Sequence, residues 1–287
     1  MNEDSQKAEF IAVVGKPNAG KSSLLNWLVD EKIAMVSQKA NATRKRANII
    51  VMHNDTQFIF VDTPGIHASE KLLNKFMLEE ALKAMSDCGL ILFLTPITDS
   101  LQSYKNFLAL NINKPHIVLL TKCDTASNEQ ILKKIAEFMT YQSRFKALIP
   151  ISIKHHKAKK YLLDELEKFI PPHPYFYDPE LLTTQTMREI YKEFIREAIY
   201  KFTNDEIPYS SDVVIDKVAE EEKIYTICAD IIVKKESQKN IVIGTGGETL
   251  KRIGTYSRKM IEKVINKKIF LKISVKSNKK ITENKKT

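Results

Sequence analysis

Residues 15–22 read GKPNAGKS, and this stretch decides the fold of the first part of the chain. It fits the phosphate-binding pattern G-x-x-x-x-G-K-[ST], and the context that the pattern requires is present. The apolar run Phe10 to Val14 precedes it and is suited to a buried strand, while Ser23 to Asp30 follow as a helix. The sequence therefore predicts a strand, a phosphate-binding loop and a helix in direct succession.

The residue types in this loop suit the phosphate chain of a nucleotide. Gly15 and Gly20 let the backbone wrap closely, so that successive N–H groups point inward at the start of a helix. Lys21 can reach the β- and γ-phosphates, and Ser22 can place its hydroxyl on Mg²⁺. A glycine-containing turn that matches by chance is the alternative for the loop taken alone. We predict that nucleotide is bound by Gly15, Lys16, Pro17, Asn18, Ala19, Gly20, Lys21 and Ser22.

A second motif, DTPG at 62–65, follows a run that ends apolar, like a strand that enters a core. Asp62 can hold the hydration shell of Mg²⁺, and Gly65 can offer its N–H to a γ-phosphate. Thr63 and Pro64 complete this predicted part of the nucleotide site.

Two further motifs read as a base-recognition site. TKCD at 121–124 follows the apolar strand His116 to Leu120, and SIK at 152–154 follows the strand Ala147 to Ile151. Guanine presents two adjacent donors that one carboxylate accepts together, whereas adenine would leave the Asp124 carboxylate poorly paired. The predicted base contacts are Thr121, Lys122, Cys123, Asp124, Ser152, Ile153 and Lys154.

The order of the four motifs strengthens each of them. Each follows a predicted strand, and open α/β sheets bind ligands at the carboxyl ends of their strands. From Phe10 to Ile170 strand-like and helix-like segments alternate, which predicts a mainly parallel sheet covered on both faces. His53-Asn54-Asp55 reads as a hairpin turn between two strands and predicts one antiparallel edge pair. The sequence thus predicts a guanine nucleotide site on an α/β domain.

Composition bounds the remaining possibilities. The chain has 287 residues, with 43% hydrophobic and 28% charged residues, which is ordinary for a globular protein of one large or two ordinary domains. The polar, acidic opening is unlike a signal peptide, and the longest apolar stretch is too short to span a bilayer. Cys88, Cys123 and Cys228 are widely spaced and odd in number, which fits a reducing cytoplasm and predicts neither a disulfide nor a zinc site.

Positive charge is concentrated at one end. Residues 239–287 contain 14 Lys/Arg against 3 Asp/Glu, while the rest of the chain has a net charge of −1. Such asymmetry favours a polyanionic partner, most often nucleic acid and sometimes an anionic membrane surface. A solubilising face is the alternative.

The proline-rich stretch 171–179 is predicted to be a stiff linker, because no helix or central strand tolerates that proline density. We therefore predict domains at 1–170 and 181–287, with the linker at 171–180. Beyond it the pattern predicts a helix over 181–202, strands near 211–219 and 223–234, a strand-like run before residue 244, a basic helix to about Lys267 and a last strand over 269–275.

GTGG at 244–247 has the G-x-x-G form that precedes a helix. In a KH domain such a loop clamps the backbone of about four nucleotides while the bases lie in an adjacent apolar groove. A plain turn is the alternative. The predicted RNA contacts are Gly244, Thr245, Gly246, Gly247, Lys251, Arg252, Arg258 and Lys259.

From about Phe10 to Val275 the chain resembles the Era family of bacterial GTPases. The resemblance rests on the motifs quoted above, on NATR at 41–44 and PYS at 208–210, and on the extended run VIGTGGETLKRIG at 242–254. It implies a Ras-like P-loop GTPase domain followed by a smaller α+β type II KH domain, and a Mg²⁺-dependent hydrolysis of GTP. It assigns Thr43 as the switch threonine that binds Mg²⁺ and senses the γ-phosphate. Lys21, Thr43, Asp62 and Gly65 are then the catalytic set, and Asn18 is the position that holds K⁺ in related potassium-activated GTPases.

The resemblance further implies binding of small-subunit (16S) ribosomal RNA, help in 30S subunit assembly and rRNA processing, and a monomeric cytoplasmic protein that also contacts the inner membrane peripherally. Four departures stand against the family pattern. Thr121 replaces an Asn, Ile153 replaces a small residue, the loop residues Thr245-Gly246 carry no positive side chain, and the chain ends in a short lysine tail. Ile66 also stands where Ras-like enzymes carry a water-orienting Gln, which Ile cannot replace.

Three other functions stay open from the residues alone. An ATP-using P-loop kinase is disfavoured by TKCD with SIK. A pure RNA-binding module is disfavoured by the intact Lys21, Ser22, Thr43 and Asp62. A tRNA-modifying GTPase shares the first domain, but the basic end favours ribosomal RNA.

Overall fold

The computed structural model describes residues 5–34, 47–65, 72–155, 157–204, 206–220 and 225–277. The chain divides into two compact units. The first ends at Thr184, and the second begins at Gln185 and also includes the short segment that starts at Ile33.

The first unit is built on a six-stranded sheet in the order β2-β3-β1-β4-β5-β6. All neighbouring strands are parallel except β2 and β3, which form the predicted antiparallel edge hairpin. The strands are β1 (Lys7–Gly15), β2 (Ala47–His53), β3 (Thr56–Asp62), β4 (Leu90–Pro96), β5 (His116–Thr121) and β6 (Ala147–Pro150). Every residue of β3, β4 and β5 is buried, as expected for a sheet with both faces covered.

The helices of this unit are α1 (Lys21–Val29), α2 (Leu72–Asp87), α3 (Gln102–Leu108), α4 (Asn128–Met139) and α5 (Lys157–Glu167). Ser127 caps α4 by accepting from the Gln130 N–H, while the Gln130 side chain accepts from the Ser127 N–H. These reciprocal bonds satisfy two N–H groups that a helix end otherwise leaves without partners. The predicted doubly covered, mainly parallel α/β fold is confirmed.

The four motifs lie at one edge of this sheet. The loop at 15–22 leaves the carboxyl end of β1, DTPG leaves β3, TKCD leaves β5, and SIK follows β6. Since these strands are parallel, their carboxyl ends meet at the same edge.

The proline-rich segment belongs to the first unit and packs against its sheet. The buried Gln57 side chain donates to the Tyr177 carbonyl at 2.8 Å and accepts from the N–H groups of Phe176 and Tyr177 at 2.9 and 3.0 Å. The Phe176 ring meets the Phe10 ring edge-on at 4.8 Å. Residues 171–180 are therefore fixed by side-chain contacts, and their role as a domain boundary stays a prediction.

The helix predicted from Leu181 begins later, at Met187. The Leu182 carbonyl accepts from the Ile50 N–H at 2.9 Å, and Thr183 forms a bridge with Ile49. These residues cover the outer edge of β2, and pairing to an exposed strand edge overrides their helical pattern. Thr186 then caps the helix in a box with Glu189.

The second unit packs three helices on a three-stranded sheet. The helices are α6 (Met187–Phe202), α8 (Glu236–Ile243) and α9 (Glu248–Ile265), with the single turn α7 (Ile207–Ser210). In the sheet, β8 (Tyr225–Val233) pairs antiparallel with β7 (Asp212–Glu220) and parallel with β9 (Ile269–Ser277). The run before residue 244, predicted to be strand-like, is instead the end of α8. Val242 there is buried in the core while Ile241 is exposed. A short apolar run of this kind is compatible with either a strand or one turn of a helix, so the pattern alone does not distinguish them.

Candidate functional site

The loop at 15–22 has the backbone that its glycines predict. Gly15 has a φ of 153°, and a Cβ there would lie 2.4 Å from the Leu94 carbonyl oxygen. Gly20 has a φ of 101° and caps α1, and a Cβ there would meet nothing within 4 Å. One glycine is therefore needed for packing, while the other leaves open space at the helix N-terminus, where N–H groups favour an anion.

Lys21 lies across this loop. Its buried ammonium donates to the carbonyls of Gly15 and Lys16, both at 3.1 Å. Burial lowers the pKa of Lys21 to about 8, although the nearby Asp62 carboxylate acts in the opposite direction. A buried ammonium gains more from an incoming phosphate than an exposed one does, because little water competes with the phosphate.

The DTPG segment lies directly against the loop. The Ser22 hydroxyl donates to Oδ2 of Asp62 at 3.3 Å, and the Thr63 hydroxyl donates to the Val13 carbonyl at 2.7 Å. A Cβ on Gly65 would lie 2.8 Å from the Pro17 nitrogen, so only glycine allows this approach. A hydroxyl and a carboxylate side by side are the oxygen ligands that Mg²⁺ prefers, so this pair fits the expected ion.

TKCD is tied to the same loop from the other side. The buried Thr121 hydroxyl donates to the Ala19 carbonyl at 2.8 Å, and the Lys122 ammonium donates to the Asn18 carbonyl at 2.9 Å. Thr121, the departure from the family's Asn, thus links the base-recognition motif to the phosphate loop. This bond could not be predicted from local sequence patterns, because the two residues are 102 positions apart.

Asp124 is oriented by the SIK segment. Its Oδ2 lies 2.6 Å from the Lys154 ammonium, and its Oδ1 accepts from the buried Ser152 hydroxyl at 2.7 Å. The hydrogen bonds from Lys154 and then Ser152 hold the pKa of Asp124 below its usual value. Ile153 is 41% exposed. The carboxylate is therefore an ionised acceptor in a fixed position, which is what two adjacent guanine donors require.

Thr43 and Ile66 lie outside the described residues. Lys16 pairs with Asp99 at 3.7 Å, and the Cys123 N–H donates to the Ile151 carbonyl at 3.2 Å. The structure thus brings the predicted residues of 15–22, 62–65, 121–124 and 152–154 together, and it adds Asp99 as a partner that the sequence did not indicate.

The GTGG loop in the second unit also contains one glycine at which a Cβ would clash and two at which a Cβ would meet open space. Gly244 has a φ of 75°, and a Cβ there would lie 2.3 Å from the Thr249 hydroxyl oxygen. Gly246 and Gly247 have φ values of 59° and 82°, and Cβ atoms on them would meet nothing within 4 Å. The space beside the backbone of these two glycines is therefore open, so a chain of phosphates can approach the backbone there.

A groove of about 430 Å³ lies beside this loop, between α9 and β9. Its lining is mainly apolar, with Leu250 and Phe270 among the residues, and Lys251 and Arg258 stand along it. Phe270 is 57% exposed, so its ring is accessible to solvent at the groove.

Two predicted RNA contacts lie elsewhere on α9. The Arg252 guanidinium lies 4.6 Å from the centre of the Phe202 ring of α6, and Lys259 is exposed outside the groove lining. The helical period places residues 251 and 258 on one face and 252 and 259 on another. Only Lys251 and Arg258 of the four cations therefore line the groove.

Comparisons with known proteins agree with both units. Residues 10–122 match the family described as 50S ribosome-binding GTPase, and residues 206–280 match the KH domain family. The fold and site define a P-loop GTPase that carries a KH domain. Separately, none of the helices in the described residues is long and apolar enough to cross a membrane.

Full-length relatives narrow this class. The chain is 51% identical to the GTPase Era of Campylobacter fetus over 97% of this chain and 96% of that protein, and 48% identical to the GTPase Era of Helicobacter pylori over 98% and 95%. A crystal structure of Era with MgGDPNP and nucleotides 1506–1542 of 16S ribosomal RNA has a TM-score of 0.88 at 31% identity, with 95% and 94% of the chains covered. A structure of Aquifex aeolicus Era bound to GDP and AlF4⁻ matches equally well. The chain belongs to the Era family of GTPases.

Proposed function

We propose that the chain is a GTP-hydrolysing, RNA-binding switch that binds small-subunit 16S ribosomal RNA and assists 30S subunit assembly and rRNA processing. The observation that carries the nucleotide part is the convergence of four motifs at one sheet edge. Gly65 and Thr121 contact the phosphate loop from two sides, and Asp124 is fixed as a double acceptor.

Each part of the site has a distinct role in the proposed reaction. The N–H groups at the start of α1 and the Lys21 ammonium bind the phosphates and stabilise the charge that develops on them. Ser22 and Asp62 hold Mg²⁺, with Thr43 as the further ligand that the family resemblance assigns. Bound Mg²⁺ supplies charge neutralisation at the phosphate oxygens. The Gly65 N–H donates to the γ-phosphate, a contact that is made with GTP and lost with GDP.

Water is the nucleophile in this proposal. The usual water-orienting Gln is replaced at position 66 by Ile, which has no hydrogen-bonding group. We therefore expect slow intrinsic turnover. We also propose that K⁺ held near Asn18 stimulates the reaction, which equal rates in K⁺ and Na⁺ buffers would exclude. The alternative role of Asn18 is to shape the loop, since it has a φ of 63°, a conformation that Asn adopts more readily than most residues.

The RNA part rests on the open GTGG backbone and its groove. The Era structure that matches along nearly the whole chain contains a 16S rRNA fragment, which supports the same partner here. Phosphates would approach Gly246 and Gly247, bases would enter the apolar groove, and Lys251 and Arg258 would neutralise phosphates. A cytoplasmic monomer with peripheral contact to an anionic membrane remains part of this proposal, as do the predicted domain bounds.

Nucleotide selectivity tests the proposal. In Asp124→Asn the amide can donate to the xanthine oxygen but no longer accepts from both guanine donors, so GTP affinity should fall about 100-fold or more and xanthosine triphosphate affinity should rise. Fluorescent-nucleotide titration measures both. Asp164→Asn, a matched change in α5, should leave GTP affinity unchanged. An Asp124→Asn protein that binds GTP like the parent would refute the assigned guanine site.

A further inference from the structure

Three potential metal ligands meet in the first unit, at the opposite edge of the sheet from the nucleotide residues. His53 ends β2 and pairs with Thr56 at the amino end of β3, whereas Asp62 lies at the carboxyl end of that strand. Asp164 and Glu167 lie three residues apart in α5 and so share one helix face. One ligand atom from each of His53, Asp164 and Glu167 lies within 4.8 Å of the other two.

The cluster has a definite geometry. Nε2 of His53 lies 2.7 Å from Oδ1 of Asp164, and the two side chains are 14% and 38% exposed. The site is therefore partly sheltered yet open to an ion from solvent. It joins two regular elements, the β2–β3 hairpin and α5, so its ligands are placed by backbone that is already fixed.

Outer partners orient both carboxylates. The Lys160 ammonium lies 2.7 Å from Oδ2 of Asp164, which leaves Oδ1 facing the imidazole. Glu167 accepts from the Thr56 hydroxyl at 3.0 Å and from the Asn54 side-chain amide at 2.9 Å. Hydrogen bonds to the ligands are a regular part of protein metal sites, because they fix ligand orientation.

The donor set indicates the kind of ion. An imidazole nitrogen suits zinc, copper, iron and nickel, while a site for Mg²⁺ or Ca²⁺ is built from oxygen alone. We propose that His53, Asp164 and Glu167 bind one divalent transition-metal ion of the zinc type, which replaces the His53–Asp164 hydrogen bond and links the β2–β3 hairpin to α5. The three cysteines play no part in this site.

Zinc titration of the full chain, without an affinity tag, nucleotide or Mg²⁺, tests the proposal by competition with a chromophoric chelator. The parent should bind one Zn²⁺, and His53→Ala and Glu167→Gln should each weaken this binding at least tenfold. His173→Ala removes another histidine of the same unit and should bind as the parent does. A parent that binds no Zn²⁺, or a His53→Ala protein that binds it equally well, would overturn the proposal.

Two further measurements separate this site from other ligands in the chain. The Co²⁺-loaded protein should lack a thiolate charge-transfer band, whereas that band would assign the ion to a cysteine and refute the site. Asp62→Asn should keep the zinc affinity, whereas its loss would place the ion at the nucleotide site. If His53→Ala unfolds, Glu167→Gln decides, since zinc should raise the melting temperature of the parent and not that of this variant.

Discussion

The phosphate loop at 15–22 and the GTGG loop at 244–247 both expose backbone N–H groups at the start of a helix, but they differ in the charged side chains around those groups. Each precedes a helix whose N-terminal residue is capped by a left-handed glycine, Gly20 or Gly247, with no side-chain cap. Each has one glycine that packing requires and another that faces open space. Both therefore expose backbone N–H groups where an anion can approach.

The difference lies in the charge that accompanies the backbone. The first loop has the buried Lys21 across it and is held on two sides by Gly65 and Thr121. The second has no cation within the loop, and its nearest groove cations, Lys251 and Arg258, are exposed. An enclosed charge suits the short phosphate chain of a nucleotide, while an open backbone beside exposed cations suits a polymer that passes through the site.

The largest effect should come from removing the enclosed charge. Lys21→Ala should lower GTP hydrolysis about 100-fold or more, because the remaining N–H groups cannot replace a buried ammonium next to the phosphates. Phosphate release at saturating GTP and Mg²⁺ measures it. Lys159→Ala, which removes a half-buried ion-pair partner of the exposed Asp30, serves as the control. Unchanged turnover in Lys21→Ala would show that the buried ammonium does not contribute to hydrolysis, which would contradict the difference in charge proposed for the two loops.

A smaller effect, on RNA binding, is expected from removing one of the exposed cations that line the groove. Arg258→Ala should weaken RNA binding and lower the salt dependence by about 0.7 in the log–log slope, which corresponds to one lost phosphate contact on a single strand. Arg252→Ala is the matched control, since Arg252 stacks on Phe202 outside the groove. Filter binding of single-stranded rRNA at several salt concentrations measures both. Equal slopes for the two variants would contradict the placement of the groove cations.

The smallest expected effect is the uptake of a fraction of a proton when GTP binds. The pKa of Lys21 is about 8 in the protein without nucleotide and should rise when phosphates bind beside it. GTP binding near pH 8 should therefore take up a fraction of a proton, and affinity should fall as pH rises through 8. Titration calorimetry in buffers of different ionisation enthalpy measures the uptake. Lys21→Ala should show none, and an equal uptake in that variant would assign the proton to another group.

The same shift predicts the pH dependence of folding. An unfolded chain keeps the ordinary lysine pKa of 10.5, so between about pH 8 and 10.5 it binds more protons at Lys21 than the folded chain does. The contribution of Lys21 to the free energy of unfolding should therefore rise with pH across this window.

Local patterns predicted most of the fold and the four segments that the structure brings together at the candidate nucleotide site. Strand, loop and helix signals lie within a few residues of each motif, so the strands that precede the motifs and the order of the site segments follow from short-range sequence. Two elements were missed where tertiary contacts override the local pattern. Residues 182–184 pair with β2 instead of extending α6, and the run before Gly244 belongs to α8.

Side-chain links between distant segments could not be predicted. The Thr121–Ala19 bond, the Gly65–Pro17 approach and the His53–Asp164 contact join residues far apart in the chain. Arg252 was predicted as an RNA contact from charge and position alone, and its stacking on Phe202 depends on how α9 packs against α6. Sequence gives the residue types of a site, while packing decides which face each one occupies.

Gly246→Asp, measured for RNA binding and GTP hydrolysis in the same full-length protein, tests most directly whether the two loops act as described. The conformation of Gly246 is one that Asp and Asn can adopt, so the fold should persist. The Asp variant should lose RNA affinity at least tenfold, Gly246→Asn should lose less because it adds bulk without charge, and GTP hydrolysis in the absence of RNA should stay at the parent rate. An Asp variant that binds single-stranded rRNA like the parent would show that GTGG is only a structural turn.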